Sequence, residues 1–288
     1  ERSDEAMQWL VENGIPAYND PDLAVKAMGT LRDYARLQVL KNEPIENNHQ
    51  VDKKTALDII NKARKDGRTY LTEIESKAIF RSYGMPTGKV ELATSEEEAI
   101  TLAKSIGFPI VMKIVSPDIL HKSDAGGVKV NIKDEDGVRE AYQTILKNAK
   151  AYKEDADIFG ILVQEMADWG TETIVGSVKD PTFGQTVMFG LGGIFVEVLK
   201  DVTFRVAPIS VKEAQIMLNE IRGALILDGV RGESPRDKQA LAEILSKYAF
   251  MIADLGEEIL ESDANPILVY EEGHGVQVVD ARIILTEK

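Results

Sequence analysis

The sequence predicts an α+β fold, and three observations carry that reading. Helical stretches opened by capping signals recur along the chain, short β-branched runs lie between them, and several of those runs follow one another as hairpins rather than in strict strand–helix alternation. A length of 288 residues suggests about two domains, and 44% hydrophobic with 28% charged residues is an ordinary globular composition with room for a sizeable core.

Residues 1–41 read as the end of one domain. "QWLVENGIPAYND" holds a short apolar stretch and the turn residues Gly14 and Pro16; a helix follows, with Asp20 as its N-cap and Pro21 in its first turn. Leu23, Ala24, Ala27, Met28, Leu31 and Tyr34 recur at helical spacing, and because a helix alone buries nothing this tail needs a partner. Residues 42–51 are polar, aperiodic and interrupted by Pro44; they read as a linker in which His49 is solvated.

Beyond the linker a helix spans 52–66. "TEIE" from Thr72 is a capping box, in which the threonine and Glu75 satisfy each other's free N–H groups, and it opens a helix to Tyr83. "SEEE" from Ser95 starts another helix that ends near Gly107. "FPIVMKIV" is a β-branched strand, "GVKVNI" a second, and a helix over 135–150 leads to "GILVQEM", a third. "ETIVGSV", "TVMFG" and "FRVAP" continue the sheet pattern, "SVKE" from Ser210 caps a further helix, and 236–256 form another. "PILVY" and "GVQVVDARIIL" close the chain as two strands joined by the Gly273–Gly275 turn.

Charge and residue usage exclude several functions. With 34 basic against 48 acidic side chains the formal net charge is −14, which repels a phosphate backbone and an anionic lipid surface; nucleic acid and membrane are not expected partners, although a local basic pocket for a small phosphate ligand remains open. No cysteine is present, so disulfides, thiolate nucleophiles and cysteine-ligated zinc are excluded, and three scattered histidines argue against a histidine metal cluster. No apolar run reaches the ~20 residues of a spanning helix, and the charged start "ERSDEAMQW" is no signal peptide, so the expected compartment is the cytoplasm. The chain opens at Glu1 rather than at a methionine, which leaves open a piece of something longer.

Four groups of residues can carry chemistry. Lys113 lies in an otherwise apolar strand, where its charge must snorkel or find an anion; the alternatives are a cleft lysine that holds phosphates and an edge-strand lysine facing water. Asp263 and Asn265 in "ESDANPILVY" are two apart, so an extended strand points both to one side, and Asp280 ends the returning strand. Together they offer hard oxygen ligands of the kind Mg²⁺ accepts, or else they are ordinary turn formers before a proline. Gly190, Gly192 and Gly193 let backbone N–H groups approach a ligand or serve a tight turn, and Arg205 beyond them pairs with a phosphate or with a carboxylate. Finally, "SPDILHKSDAGGVKV" surrounds His121 with Asp118, Lys122, Ser123 and Asp124. A neutral imidazole can attack phosphorus; the alternative is an exposed histidine with no role.

Taken together, "IVMKIVSPDILHKSDAGGV", "ILVQEMA", "VMFGLGGIFVEVLKDVTFRVAPI", the "NP" of "ESDANPI" and the closing "VVDARI" resemble the ATP-grasp part of NDP-forming acyl-CoA synthetases, relatives of succinyl-CoA synthetase. The resemblance runs from about residue 52 to the C-terminus, while residues 8–40 are similar to the last part of the CoA-ligase half. It implies an ATP-grasp fold, two α/β lobes around a nucleotide cleft at 52–288, preceded by a helical remnant of an α/β CoA-ligase domain at 1–41 and a linker at 42–51.

The resemblance also implies a chemistry. These enzymes interconvert acyl-CoA, ADP and phosphate with free acid, ATP and CoA through a relay of two phosphohistidines, the second of which corresponds to His121. Lys113 then contacts phosphates, Asn265 and Asp280 with Asp263 bind Mg²⁺, and Glu165 and Met166 lie on the strand that reads adenine. Glu172, Gly192, Gly193 and Arg205 are further nucleotide contacts. The first relay histidine belongs to the CoA-ligase half, and neither His49 nor His274 fits it, so this chain is expected to perform only the nucleotide half-reaction, with ATP or ADP and Mg²⁺ as cofactors and a CoA-ligase half as partner in an oligomer. The rival reading is a non-catalytic nucleotide-sensing module, as in protein acetyltransferases that carry a synthetase-like region; retention of Lys113, Asn265 and Asp280 together favours catalysis.

Overall fold

A computed structural model describes residues 2–41, 51–119, 122–230 and 232–287. The chain divides into two compact units, Glu1–Ile45 and Glu46–Lys288. In the first, α1 (Arg2–Glu12) and α2 (Pro21–Lys41) are joined by the turn at Gly14 and Pro16. The helix over Arg2–Glu12 goes beyond the short apolar stretch read from the sequence. Asp20 caps α2 as expected: its Oδ1 accepts from the Asp22 N–H at 2.8 Å. Trp9, Leu23, Met28, Leu31 and Tyr34 are all more than half exposed, so this unit leaves an apolar surface bare.

The second unit begins with α3 (Lys53–Lys65), whose first turn Asp52 caps by accepting from the Thr55 N–H, and α4 (Glu73–Ser82). The capping box of α4 is present in both directions, and Glu75 is held further by Arg68, which donates to both of its oxygens at 2.8 Å. There follow β1 (Val90–Ala93), α5 (Glu96–Ile106), β2 (Ile110–Val115), β3 (Val128–Ile132), α6 (Glu135–Tyr152) and β4 (Gly160–Glu165). The four strands make one antiparallel sheet in the order β1-β4-β2-β3.

Strand alternation decides what this sheet does. Ile110, Met112 and Ile114 of β2 and Ile161 and Val163 of β4 pack under α5 and α6 with Ala99, Ala103, Val138 and Ile145. The intervening residues, Lys113 of β2 and Leu162 and Gln164 of β4, therefore face the other way, toward α4.

The remaining elements are β5 (Thr171–Asp180), β6 (Gly184–Leu191), α7 (Ile194–Glu197), β7 (Val202–Val206), α8 (Val211–Glu220), a 3₁₀ turn at Arg222–Asp228, α9 (Lys238–Asp254), β8 (Ile259–Val269), β9 (Val276–Val278) and β10 (Ala281–Leu285). They form a second antiparallel sheet, β10-β8-β5-β6-β7, with β9 paired to β8. One face is covered by α3, α4, α8 and α9 around Val175, Phe189, Leu245, Ile252 and Ile283. There Phe80 of α4 meets Tyr248 of α9 edge to face, with ring centroids 5.8 Å apart, a geometry worth ~1 kcal/mol beyond the area buried. Helix α4 thus belongs to the large core through Ile79 and Phe80 and borders the small sheet through Ile74. No described helix is long and apolar enough to cross a membrane.

Two expectations change at the end of the chain. Strand β8 starts at Ile259, well before "PILVY", and takes in Asp263 and Asn265, which leaves the extended placement of the two alternatives rather than the turn. "GVQVVDARIIL" is two strands, not one: β9 pairs with residues 267–269 of β8 and β10 with residues 259–264, and the chain shifts between them at Asp280. Asp280 stabilises that break, its carbonyl accepting from the Asn265 N–H at 3.2 Å and its Oδ1 from the Ala281 N–H at 2.8 Å.

Thr72→Ala removes the cap of α4 and is expected to lower stability by about 1 kcal/mol, read by denaturant unfolding at constant m-value. Arg68 and the Thr72 N–H offset the burial of Glu75 and hold its carboxyl below the ordinary glutamate range. A depressed carboxyl contributes stability above its unfolded pKa and loses it as pH falls through the folded one. Glu75→Gln is therefore expected to flatten the loss of stability in acid while lowering stability at neutral pH.

Candidate active site

The site is built around a residue that sequence reasoning passed over. Glu73 is the first residue of α4, and its side chain is 3% exposed. Its Oε1 accepts from Lys77 Nζ at 2.9 Å and from Lys113 Nζ at 3.1 Å, and its Oε2 accepts from Lys122 Nζ at 2.8 Å. Lys77 also donates to Gln164 Oε1 at 3.1 Å, and Lys113 also reaches Asp280 Oδ2 at 3.3 Å. Five ionised groups from four separated stretches converge here, three positive and two negative.

Their titration follows from that geometry. Burial alone would raise the Glu73 carboxyl, but Lys77, Lys113 and Lys122 reverse this and hold it well below the ordinary range. Burial opposes the charge of Lys113, and Glu73 and Asp280 outweigh it and keep the ammonium protonated. Lys77 is pushed down by burial, which Glu73 only partly offsets. Asp280 is pushed up by burial and by the facing Glu73 charge, with Lys113 offsetting part of this. A carboxylate that burial works against in this way is one that a divalent cation would stabilise.

A cavity of about 470 Å³ opens beside this cluster, lined by Glu73, Lys122, Asp263, Asn265, Asp280 and Arg282 among others. The three oxygen ligands predicted from "ESDANPI" and "VVDARI" are therefore brought to one wall. Asp263 and Asn265 share one side of β8, and Asp280 lies beside Asn265 at the β9–β10 break. Asn265 and Asp280 fit a hard cation: one offers an exposed amide oxygen, the other a carboxylate whose charge burial opposes. Asp263 is already held by Arg282 Nε at 2.8 Å. Among the described residues no group of three or more His, Asp or Glu side chains is arranged around a metal position, so water and ligand oxygens would complete the coordination.

The other candidates lie as follows. Glu165 ends β4; its N–H donates to the Lys89 carbonyl at 3.0 Å and its carboxylate accepts from the Lys89 N–H at 3.3 Å, beside a narrow cleft that Lys77, Gln164 and Gln277 also line. Met166 follows, its N–H on the Pro109 carbonyl. Glu172 on β5 accepts through its carbonyl from the Gly192 N–H at 2.8 Å, and a Cβ at Gly192 would lie 2.9 Å from that of Glu172, so the close approach requires glycine. Gly193, at φ +60°, turns the chain into α7. Arg205 is engaged by Glu213 at 3.2 Å and Glu220 at 2.7 Å and does not line the cavity. His121 lies outside the described residues, as does Leu120; Ile119 and Lys122 on either side of them both line the cavity.

Glu73 and Lys77 carried one overlooked signal. They sit at i and i+4 on the helix face that also presents Phe80, charged residues at core spacing. Of their partners across the cluster, Lys113 and Asp280 were legible in the sequence, whereas Gln164 was not.

A profile of the ATP-grasp domain matches residues 62–285. The β subunit of acetate–CoA ligase (ADP-forming) I from Pyrococcus furiosus is 51% identical over 230 residues, 80% of this chain and 97% of that subunit. This chain belongs to the ATP-grasp family of ADP-forming acyl-CoA ligases. The fused acetate–CoA ligase (ADP-forming) I of Archaeoglobus fulgidus is 40% identical over 288 residues, 100% of this chain and 41% of that protein. The chain thus spans nearly the whole of a separate β subunit but about two fifths of the fused relative. Among solved structures, an acetyl-coenzyme A synthetase of Candidatus Korarchaeum cryptofilum, in complex with coenzyme A and Mg-AMPPCP, is similar at TM-score 0.71 and 45% identity, covering 80% of this chain and 100% of that one. Its phosphohistidine segment points towards the nucleotide-binding site. The ATP-grasp fold expected from the separated motifs is the fold of residues 62–285, built on two antiparallel sheets.

Lys113→Met leaves Asp280 without its cation and Glu73 with two lysines instead of three. It is expected to cost about 1–3 kcal/mol in denaturant unfolding, with Lys113→Arg recovering part of that.

Proposed function

We propose that this chain carries the nucleotide half-reaction of an NDP-forming acyl-CoA synthetase, the enzyme that interconverts acyl-CoA, ADP and phosphate with carboxylate, ATP and CoA. The observation that carries the reading is the cavity lined both by Lys122, next to His121, and by Asn265 and Asp280, with Lys113 bonded to Asp280 behind it. The Korarchaeum synthetase, in which a phosphohistidine segment points towards a bound Mg-nucleotide analogue, supports it.

In the ATP-forming direction the P–N bond of phosphorylated His121 breaks, the electron pair returns to the ring nitrogen, and a terminal phosphate oxygen of ADP forms the new P–O bond. Such a transfer demands positioning and charge neutralisation more than covalent machinery. Lys113 and Lys122 supply positive charge to the phosphoryl oxygens, and Glu165 and Met166 offer backbone groups to the base. Asn265 and Asp280, with Asp263, would hold Mg²⁺, which neutralises and orients phosphate oxygens when bound. Two sheets closing over the transfer exclude water that would hydrolyse the phosphohistidine.

The partner in this reading is a CoA-ligase half, which supplies the first relay histidine. Residues 1–41 belong with that half, 42–51 are linker and 52–288 the ATP-grasp part. The fused Archaeoglobus ligase supports this, since it aligns over the whole chain whereas the separate Pyrococcus subunit aligns over 80% of it. The assembly is oligomeric and cytoplasmic.

Incubation with Mg²⁺ and γ-labelled ATP is expected to give an acid-labile, base-stable label that disappears in His121→Ala. Tight ATP binding with no label would sink the reading in favour of a nucleotide-sensing module. Asp280→Asn is expected to weaken Mg²⁺-dependent labelling more than nucleotide binding; equal loss of both would make Asp280 structural.

A further inference from the structure

One carboxylate serving three lysines is a poor way to stabilise a fold. Buried ion clusters are often neutral or costly relative to well-packed apolar side chains, and here the charges do not balance: among the described residues Lys77, Lys113 and Lys122 face only the carboxylates of Glu73 and Asp280, so one positive charge is in excess. The arrangement is also divided in a particular way. Glu73 Oε1 takes the strand lysine Lys113 and its own helix neighbour Lys77, while Oε2 takes Lys122, the residue that follows His121. Glu73 itself does not roam: the body of its helix is locked into the large core by Ile79 and Phe80.

We propose that Glu73 is a positioning residue for phosphoryl transfer, holding Lys113 and Lys122 on its two oxygens so that both ammonium groups keep one fixed place at the cavity. This deepens the phosphoryl-transfer reading above and rests on it. Glu73 acts through the two lysines. It keeps Lys113 from collapsing fully onto Asp280, which a cation would share, and it ties the residue beside the phosphoryl carrier to a helix that cannot shift. The excess positive charge is left for the phosphoryl oxygens. Losing the Glu73 charge should then misplace the lysines while making the site more positive, so transfer and binding should respond differently.

The test is single-turnover labelling by γ-labelled ATP with Mg²⁺ in the full chain, alongside the Kd for Mg-ATP by titration. In Glu73→Gln the labelling rate is expected to fall about 10- to 100-fold while the Kd stays within about threefold of wild type or tightens, and Glu73→Asp should recover part of the rate. Thr72→Ala, which loosens the same helix end without changing the charge, should label within about threefold of wild type. Wild-type labelling in Glu73→Gln, or an equal slowing in Thr72→Ala, would overturn the proposal and leave Glu73 a structural residue. If Glu73→Gln does not fold, Glu73→Asp carries the test, since it keeps the charge and shortens the reach to both lysines: a fall in rate with retained Kd supports the proposal, and an unchanged rate overturns it. Wild-type protein that binds ATP and never labels would overturn the phosphoryl-transfer reading itself, whatever Glu73 does.

Discussion

A buried carboxylate at the start of one helix is the constraint on which the site depends. Glu73 comes to the cavity because α4 is shared: its apolar face is part of the large core, and its N-terminal turn lies against the small sheet. The small sheet in turn presents Lys113 there because Ile110, Met112 and Ile114 are claimed by α5 and α6, and a strand has only two faces. Two independent hydrophobic cores thus fix, between them, the positions of opposite charges that neither core alone would hold.

The same economy explains the wall that carries Asp263, Asn265 and Asp280. Strand β8 is long because it pairs with β5 on one edge and with both β10 and β9 on the other, and the handover between β9 and β10 falls at Asp280. A carboxylate is useful there: it accepts from the Ala281 N–H, and its other oxygen remains for Lys113. A structural break in the ladder and a proposed ligand position are the same residue. Asp263 and Arg282, directly opposite across β8 and β10, form the neighbouring pair that borders both this cavity and a second one of about 570 Å³ floored by Ile174, Met188 and Phe204.

Charge is concentrated against the trend of the molecule. The chain carries a net −14, yet the cluster behind the cavity is positive by one. A local positive site in an acidic surface favours a small phosphate ligand carried in with its own cation over a polyanion, which the rest of the surface repels.

By itself the sequence determined the elements and the motifs. The capping box at Thr72, the N-caps at Ser95, Ser210 and Asp20, the β-branched strand around Lys113 and the ordered set of motifs that indicate an ATP-grasp domain are all readable because each is a pattern within a few residues, set by backbone geometry and side-chain period. Tertiary structure alone decided that Glu73, 40 residues from Lys113 and 49 from Lys122, would collect both, that Lys113 would reach Asp280 across 167 positions, and that the closing run would split at that aspartate. It also engaged Arg205 with Glu213 and Glu220, a choice its sequence context left open. Local spacing says which residues share a face; which faces meet is settled by how the cores pack, and the charges follow the cores.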